Sequence, residues 1–427
     1  MMRRAVAFRV LLLAFLVEIT PCLGQIAPST GKQETTSNIG ESQLELVLQD
    51  RPQLQPIVQK GSPLWNWLQA AFANTSEGIQ IFWDNRPTHA SDPASAESTF
   101  PDGKKAAYIR IDGIYKSGTS IGLARSPEEV LSNLVFELNN DKHWVENQGI
   151  SQLAEAGRIS RQDYIRSCAK TEYTAGRETA DVYTTIWVPF CQSKALSFTP
   201  QLWHMPYPAT FDEWLSQYAP DFWYPWKFYG DRYDWITAQR EADSKFSQGD
   251  LDGAILGYTK ALKLGPRSYG SRGFAEMAKG DWDQALADIL QCSDLSLSDP
   301  QTEVSDQLLI WLIKVQKGQK TDADKELSDY FANRPVALQN DWAAKISKFL
   351  LDQLKETDFL AAASSPDAKQ DQAQHCEAWY YAGMKQLLAR DKVTAAQYFH
   401  NCLSTNQTNF FEYALAREEL KALGQTK

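Results

Sequence analysis

Two carboxylates, Glu137 and Glu172, fall in segments whose patterns predict helices. A carboxyl group whose pKa is raised in a covered groove can donate or accept a proton, so these are the candidates for acid–base chemistry. The chain around the first reads Phe136-Glu137-Leu138-Asn139-Asn140. A zinc site would need histidines at positions 136 and 140, one helical turn apart, and phenylalanine cannot bind the metal. We therefore predict no metal, no cofactor and no enzyme activity.

The element that positions Glu137 is a helix predicted from Pro127 to about Asn139, with Ser126 as its N-cap. Apolar residues at helical spacing form its core stripe: Leu131, Leu134, Val135 and Leu138. The opposite face carries Asn133, Phe136, Glu137 and Asn140. A phenylalanine on that face indicates that it is covered or lines a groove. An ordinary half-exposed helix is the alternative.

Residues 44–235 are predicted to form an α+β domain. A helix from Ser62-Pro63 to Ala73 precedes strands at 78–83 and 106–112, the helix just described, and a longer helix from Ser160 past Tyr173. This order, with Glu172 on the long helix, resembles the zincin metallopeptidases, whose His-Glu-x-x-His motif would fall on residues 136–140. The departure at both histidine positions implies a degenerate, metal-free pseudopeptidase. The alternative is an envelope hydrolase, acting on peptides or glycans through Glu137 and Glu172.

The end of this domain, Trp203 to Trp235, holds thirteen aromatic residues in thirty-three. If they were exposed, the rings would form a sugar-binding platform or a protein docking site. The competing interpretation, which we favour, is that the rings are packed and join the domain to the C-terminal half of the chain.

A motif recurs in the second half of the chain, because residues 248–254 (QGDLDGA) return as 279–285 (KGDWDQA). Small and large apolar residues keep the same spacing around it: Ala242, Gly249, Ala254, Tyr258 and Ala261 in the first copy, and Gly273, Gly280, Ala285, Ile289 and Cys292 in the second. A third copy has Gly318, Ala323, Leu327, Tyr330 and Pro335, and a fourth has Gly383, Arg390-Asp391, Ala395, Phe399 and Cys402. Such a period predicts stacked helical hairpins, with the large residue filling the groove to the next hairpin.

This pattern resembles the tetratricopeptide repeat, and residues 376–420 are similar to the closing repeat of NlpI-type lipoproteins of the bacterial cell envelope. The resemblance implies an all-α solenoid over residues 236–427, with an extra helix near 340–354 and a final helix near 409–423 that caps its open end. The first helices of the hairpins would line a groove that holds a peptide or a partner protein. Its candidate binding residues are Lys245, Gln248, Glu276, Lys279, Gln386 and Arg390.

Cysteine positions suggest one pairing. Cys376 is predicted to open one helix of the fourth hairpin and Cys402 to close the other. The two would then lie at the same end, where either a disulfide or two small buried thiols would fit. Cys292 occupies a close-packing position, which predicts a buried structural thiol.

The N-terminus predicts export. Residues 1–24 have a basic start, an apolar run and a small-residue end, as in a cleaved signal peptide, and residues 25–43 predict a flexible leader. Lipid anchoring at Cys22 fits less well because Pro21 precedes it. Loss of residues 1–24 would change the net charge from −10 to −12, by removing three arginines and one glutamate. An acidic protein disfavours nucleic acid as a partner.

These observations predict a predominantly helical, exported, non-catalytic adaptor, periplasmic or extracellular, with no membrane span after cleavage. Its partner would be a protein or peptide held in the repeat groove. The alternatives are the hydrolase and a carbohydrate-binding protein that uses the segment 203–235.

Overall fold

The computed structural model describes residues 36–73, 79–84, 94–99, 106–113, 123–295, 300–334, 340–408 and 410–425. The predicted signal peptide, Cys22 and Pro335 lie outside these residues. Two compact units divide between Tyr233 and Asp234, and we call them unit 1 and unit 2. In the described part of the chain, no helix is long and apolar enough to cross a membrane.

Unit 1 is built mainly from helices: α1 Thr36–Asp50, α2 Pro63–Phe72, α3 Pro127–Lys142, α4 Trp144–Glu155, α5 Arg161–Val182, α6 Val188–Lys194 and α7 Phe211–Leu215. Three serines begin helices α2, α3 and α5 as N-caps: Ser62, Ser126 and Ser160. Each side chain accepts a hydrogen bond from a backbone N–H of the first turn, which satisfies one of the amide groups that a helix start leaves unpaired. These three predicted helix starts are confirmed.

The α+β class predicted for this half is wrong. The well-defined part of the structure is 76% helical and forms an all-helical fold. Strand backbone is limited to three short segments beside α3: β1 Ile79–Asp84, β2 Ala94–Thr99 and β3 Ala106–Asp112, paired in the order β1-β3-β2. The prediction failed because it treated residues 36–43 as leader and missed α4, α6 and α7. Because residues 36–43 were assigned to the leader, the prediction did not include α1, whose Leu44 and Val47 are buried in the core of unit 1.

The division between the two units falls inside α8 Phe228–Gln248, most of which belongs to unit 2. The further helices of unit 2 are α9 Leu251–Leu262, α10 Tyr269–Lys279, α11 Trp282–Leu295, α12 Pro300–Gln316, α13 Lys320–Ala332, α14 Trp342–Leu350, α15 Glu356–Ala361, α16 Ala368–Leu388, α17 Lys392–Ser404 and α18 Phe411–Ala422. Four helical hairpins therefore stand where the repeated motif places them: α8/α9, α10/α11, α12/α13 and α16/α17. The short helix α15 had no counterpart in the sequence prediction.

The turns of the hairpins share one backbone conformation. Gly249, Gly280 and Gly318 have φ of +81°, +81° and +78°, a left-handed conformation that costs glycine little. Arg390 takes this place in the fourth hairpin with φ +67°. In three turns the following aspartate caps the second helix, as when Asp250 Oδ1 accepts from the Gly253 amide at 3.0 Å.

Small residues allow close approach within a hairpin. A Cβ added at Gly383 would lie 2.5 Å from the Phe399 ring, and one added at Gly273 would lie 2.9 Å from Ile289 Cδ1. The large apolar residue thus packs on the small residue of its own hairpin. The close approach of the two helices at the small residues is therefore as predicted.

Candidate functional site

The predicted groove residues fall into two groups. Lys245, Gln248 and Arg390 are exposed, the first two in the last turn of α8 and the third in the turn before α17. Gln248 Nε2 donates to Ser244 Oγ at 2.9 Å, on its own helix. These three side chains are available to a partner.

The other three groove residues contact the protein itself. Glu276 is 8% exposed, and burial raises the pKa of its carboxyl group. Gln386 Nε2 donates to Glu356 Oε2 at 2.7 Å. Lys279 Nζ lies 2.6 Å from Asp252 Oδ1, so it joins the first hairpin to the second.

That last contact belongs to a series, which we call the turn-edge ion pairs, along the hairpin turns of unit 2. Its members are Asp252–Lys279 at 2.6 Å, Asp283–Lys317 at 2.5 Å, Asp352–Lys320 at 3.7 Å and Asp352–Lys385 at 2.6 Å. Each pair joins an element to a different one further along the chain. Sequence reasoning missed this series because the partners lie about thirty residues apart and no local spacing relates them.

The last helix, α18, does more than cap an open end. The Phe411 ring stacks on Phe274 of α10, with centroids 5.0 Å apart. Arg417 Nη2 donates to the Phe246 carbonyl oxygen of α8 at 3.3 Å. In an open solenoid each repeat contacts only its neighbours. Here α18 connects the fourth hairpin back to the first two, so part of the surface of α8 and α10 is already occupied.

Beneath α18 lies a buried cluster of reactive groups. Cys376 Sγ and Cys402 Sγ are 3.5 Å apart, and both residues are fully buried as free thiols. Cys376 lies inside α16, which begins at Ala368, and the prediction that it opens the helix is corrected. Glu412 of α18 is also fully buried, and neither of its carboxylate oxygens has a hydrogen-bond partner. Burial first, and then the nearby Cys376, raise the pKa of Glu412 well above its ordinary value.

Cys292, predicted to be a buried structural thiol, is more exposed than expected. Cys292 is half-buried, 3.3 Å from the position that a Cβ on Gly270 would take. It is therefore less enclosed than a core thiol.

In unit 1, both faces of α3 are buried. Glu137 and Asn139 are fully enclosed, and Phe136 is 8% exposed, so the face opposite the leucine stripe is covered as the phenylalanine indicated. Glu137 Oε2 accepts from Asn140 Nδ2 at 3.3 Å, within the same helix. Asn139 Nδ2 donates to Thr179 Oγ1 of α5 at 3.0 Å, which joins the two helices.

Glu172 of α5 has separate surroundings. It is 8% exposed and accepts a short hydrogen bond from the Tyr229 hydroxyl. Burial raises the pKa of its carboxyl group to about 7, and hydrogen bonds from Tyr224 and Tyr229 oppose that rise. Such a group has the proton affinity for acid–base work near neutral pH. Tyr224 and Tyr229 enclose it in the core of unit 1.

Histidine and acidic groups do not converge on a metal site in the described chain, where no cluster of three or more potential ligands has the required arrangement. His143, which ends α3, has Nε2 3.1 Å from Glu178 Oε1 on α5. This contact again joins α3 to α5.

The aromatic residues from Trp203 to Tyr233 belong to unit 1, and Trp235 belongs to unit 2. Trp203, Trp214 and Tyr224 are 1%, 6% and 3% exposed. Tyr173 of α5 stands with its ring centroid 5.7 Å from that of Tyr207 and 6.0 Å from that of Trp214. Phe222, at 43% exposure, is the large apolar exception among the described rings. With most faces enclosed, the segment offers little area for stacking on a sugar.

Comparison with known proteins adds no relative. The chain matches no family model and no curated protein.

Proposed function

We propose that this protein is an exported, non-catalytic scaffold that binds another protein or a peptide through its helical-hairpin unit. The observation that carries the proposal is the series of four hairpins in unit 2, joined by the turn-edge ion pairs and bearing exposed Lys245, Gln248 and Arg390. Repeat arrays of this kind function by presenting an extended surface. Export is supported by the sequence of residues 1–24.

We further infer that the hairpins are of the tetratricopeptide type. The support is the recurrence of a left-handed residue at each turn, together with the small residue of the first helix packed against the large one of the second. The non-catalytic part of the proposal is supported by the burial of Glu137 and Glu172, the two candidate acid–base groups.

The location of α18 changes the surface that a partner would use. Because α18 lies against α8 and α10, we place the partner on the exposed turn edge of the first and fourth hairpins and not in an empty groove. A partner there would exchange water for charge-assisted hydrogen bonds to Lys245 and Arg390. This predicts acidic or carbonyl-rich contact groups on the partner.

The test is cross-linking of tagged protein in its native cell envelope, with mass spectrometry of the captured proteins. A triple variant, Lys245→Ala, Gln248→Ala and Arg390→Ala, should lose most capture of a specific partner while its melting temperature changes little. The matched control replaces exposed Lys260, Gln353 and Lys369 with alanine and should capture as the wild type does. Equal capture by both variants, or cross-links confined to unit 1, would overturn the proposal.

A further inference from the structure

The thiols of Cys376 and Cys402 are set apart from the other described cysteines by their proximity. Their sulfur atoms are 3.5 Å apart on the two antiparallel helices of the fourth hairpin. A disulfide has a sulfur–sulfur distance of about 2.05 Å, so the pair must close by roughly 1.5 Å. Rotation of the two side chains would have to close this gap while α16 and α17 stay paired.

We propose that Cys376 and Cys402 are a redox-reactive pair that forms a disulfide in an oxidising compartment, joining α16 to α17 beneath α18.

The reaction needs a disulfide as oxidant, for which oxidised glutathione serves. The Cys376 thiolate attacks one glutathione sulfur, forming a mixed disulfide and releasing one glutathione thiolate. Burial and the neighbouring Cys376 raise the pKa of Cys402, so Cys402 attacks second: it gives its proton to the released glutathione thiolate and attacks the Cys376 sulfur, forming the protein disulfide and releasing the second glutathione thiolate. Two protein thiols are oxidised, one glutathione disulfide is reduced, and the two protons end on the two glutathione molecules.

The surroundings favour this pair over the other thiols. The hydrogen bond with Cys402 lowers the pKa of Cys376, which increases its thiolate fraction. Burial raises the pKa of Cys168 to about 12 and that of Cys191 to about 11, so neither can supply the first attacking thiolate as Cys376 does. Neither has a cysteine partner, since both are free and stand on other helices.

Access to the pair is through the connection between α17 and α18. Cys402 lies in the last turn of α17, and Asn406 and Thr408 beyond it are exposed. Local opening of residues 405–408 would expose the adjacent sulfurs of the pair to a small disulfide, which the Cys376 thiolate then attacks. Helix ends and short connections are the segments that open most readily.

Oxidation also affects α18. The carboxyl group of Glu412 faces Cys376, and Cys402 is influenced by both Glu412 and Glu377. A disulfide has no ionisable proton, so it removes the thiolate that would oppose a charged Glu412. We therefore expect the oxidised protein to hold α18 more firmly than the reduced one.

The test uses the full chain, refolded in a glutathione redox buffer so that burial of the thiols does not limit the reaction. Free thiols are alkylated and the peptides are mapped by mass spectrometry. We expect a peptide pair linked through Cys376 and Cys402. Its disulfide-to-thiol ratio should be about tenfold or more above the ratio in 8 M urea. The reason is that a fold stabilised by the disulfide must, by the same free energy, stabilise the disulfide. Cys168 and Cys191 should be alkylated.

Two variants complete the experiment. Cys191→Ser should form the same linkage as the wild type, and Cys402→Ser should leave no internal link to Cys376. In the wild type, oxidation should raise the melting temperature of unit 2 by about 5 °C or more. The proposal is overturned by free thiols at both positions in excess oxidised glutathione, by a different pairing, or by a ratio no higher than in urea.

Discussion

The rings of Phe274 and Phe411 stack with their centroids 5.0 Å apart and their planes 15° from parallel. The two residues are separated by more than one hundred residues in the chain and belong to α10 and α18. Their contact makes unit 2 a connected body in which the last helix supports an early hairpin. Loss of α18 should therefore destabilise hairpins that are far from it in sequence.

Truncation of Phe411 tests this connection. Phe411 is 7% exposed, and Phe411→Ala should lower the free energy of unfolding of unit 2 by about 3–5 kcal/mol. Hydrogen exchange should become faster in both α18 and α10. Leu256→Ala, at a residue that is 69% exposed, is the control and should change stability by less than about 0.5 kcal/mol. Faster exchange in α18 alone would contradict the connection.

The turn of the fourth hairpin contains a residue whose backbone conformation is costly. A left-handed conformation costs a residue with a Cβ about 1–2 kcal/mol, and Arg390 has φ +67°. Arg390→Gly removes this cost but also increases the conformational entropy of the unfolded chain, which opposes the gain. The net effect should be a stabilisation of unit 2 by up to about 1 kcal/mol, measured by urea denaturation. The reciprocal change, Gly280→Ala, should destabilise by about 1 kcal/mol or more, because φ there is +81° although nothing lies within 4 Å of an added Cβ. Equal effects of the same sign would refute this argument.

The sequence predicted the hairpins well because their signals are local. Glycine at the turn, aspartate at the cap and a small residue opposite a large one all lie within about twenty residues of one another, and Gly383 against Phe399 is an example. Neither the contact of Phe411 with Phe274 nor the Asp352–Lys385 pair has such a signal, because tertiary packing brings distant segments together. In unit 1 the strong helix caps were readable, but α1 was lost inside a segment whose polar composition suggested a leader.

The close packing at Gly383 yields a third prediction. Alanine there would place a Cβ 2.5 Å from the Phe399 ring, so Gly383→Ala should destabilise unit 2 by about 1–3 kcal/mol through overpacking. Gly149→Ala is the matched control, since it also lies inside a helix but has nothing within 4 Å of the added Cβ. That change should be neutral or stabilise by up to about 1 kcal/mol through helix propensity. Thermal unfolding followed by circular dichroism measures both, and a stabilising Gly383→Ala would show that the hairpin is loosely packed.

The turn-edge ion pairs should contribute little individually. Asp252 and Lys279 have side chains that are 81% and 48% exposed, so a double-mutant cycle with alanine should give only a weak coupling. The coupling should fade in 1 M salt, where exposed charges are screened. A coupling that persists in 1 M salt would mean that the pair is joined by something other than exposed electrostatics.

The buried carboxyl group of Glu172 makes the stability of unit 1 depend on pH. Its pKa is raised from 4.5 to about 7 in the folded protein, chiefly by burial. Between those two values the folded state binds more protons than the unfolded state, so stability is greatest below about pH 4.5 and falls as the pH rises to about 7. The loss attributable to this group is at most on the order of 3 kcal/mol.

Substitution by the neutral isostere separates this charge effect from the hydrogen bond. The Glu172→Gln side chain still accepts from Tyr229, so the variant should match the wild type at pH 5 and be more stable at pH 8. Urea unfolding of the full chain, followed at both pH values, measures the difference. The control is Glu45→Gln, at a carboxylate that is 57% exposed and whose partner Lys60 is charged at both pH values, so it should give no such difference. If Glu172→Gln instead lowers stability equally at both pH values, the contact with Tyr229 governs this part of the core and ionisation of the carboxyl group does not.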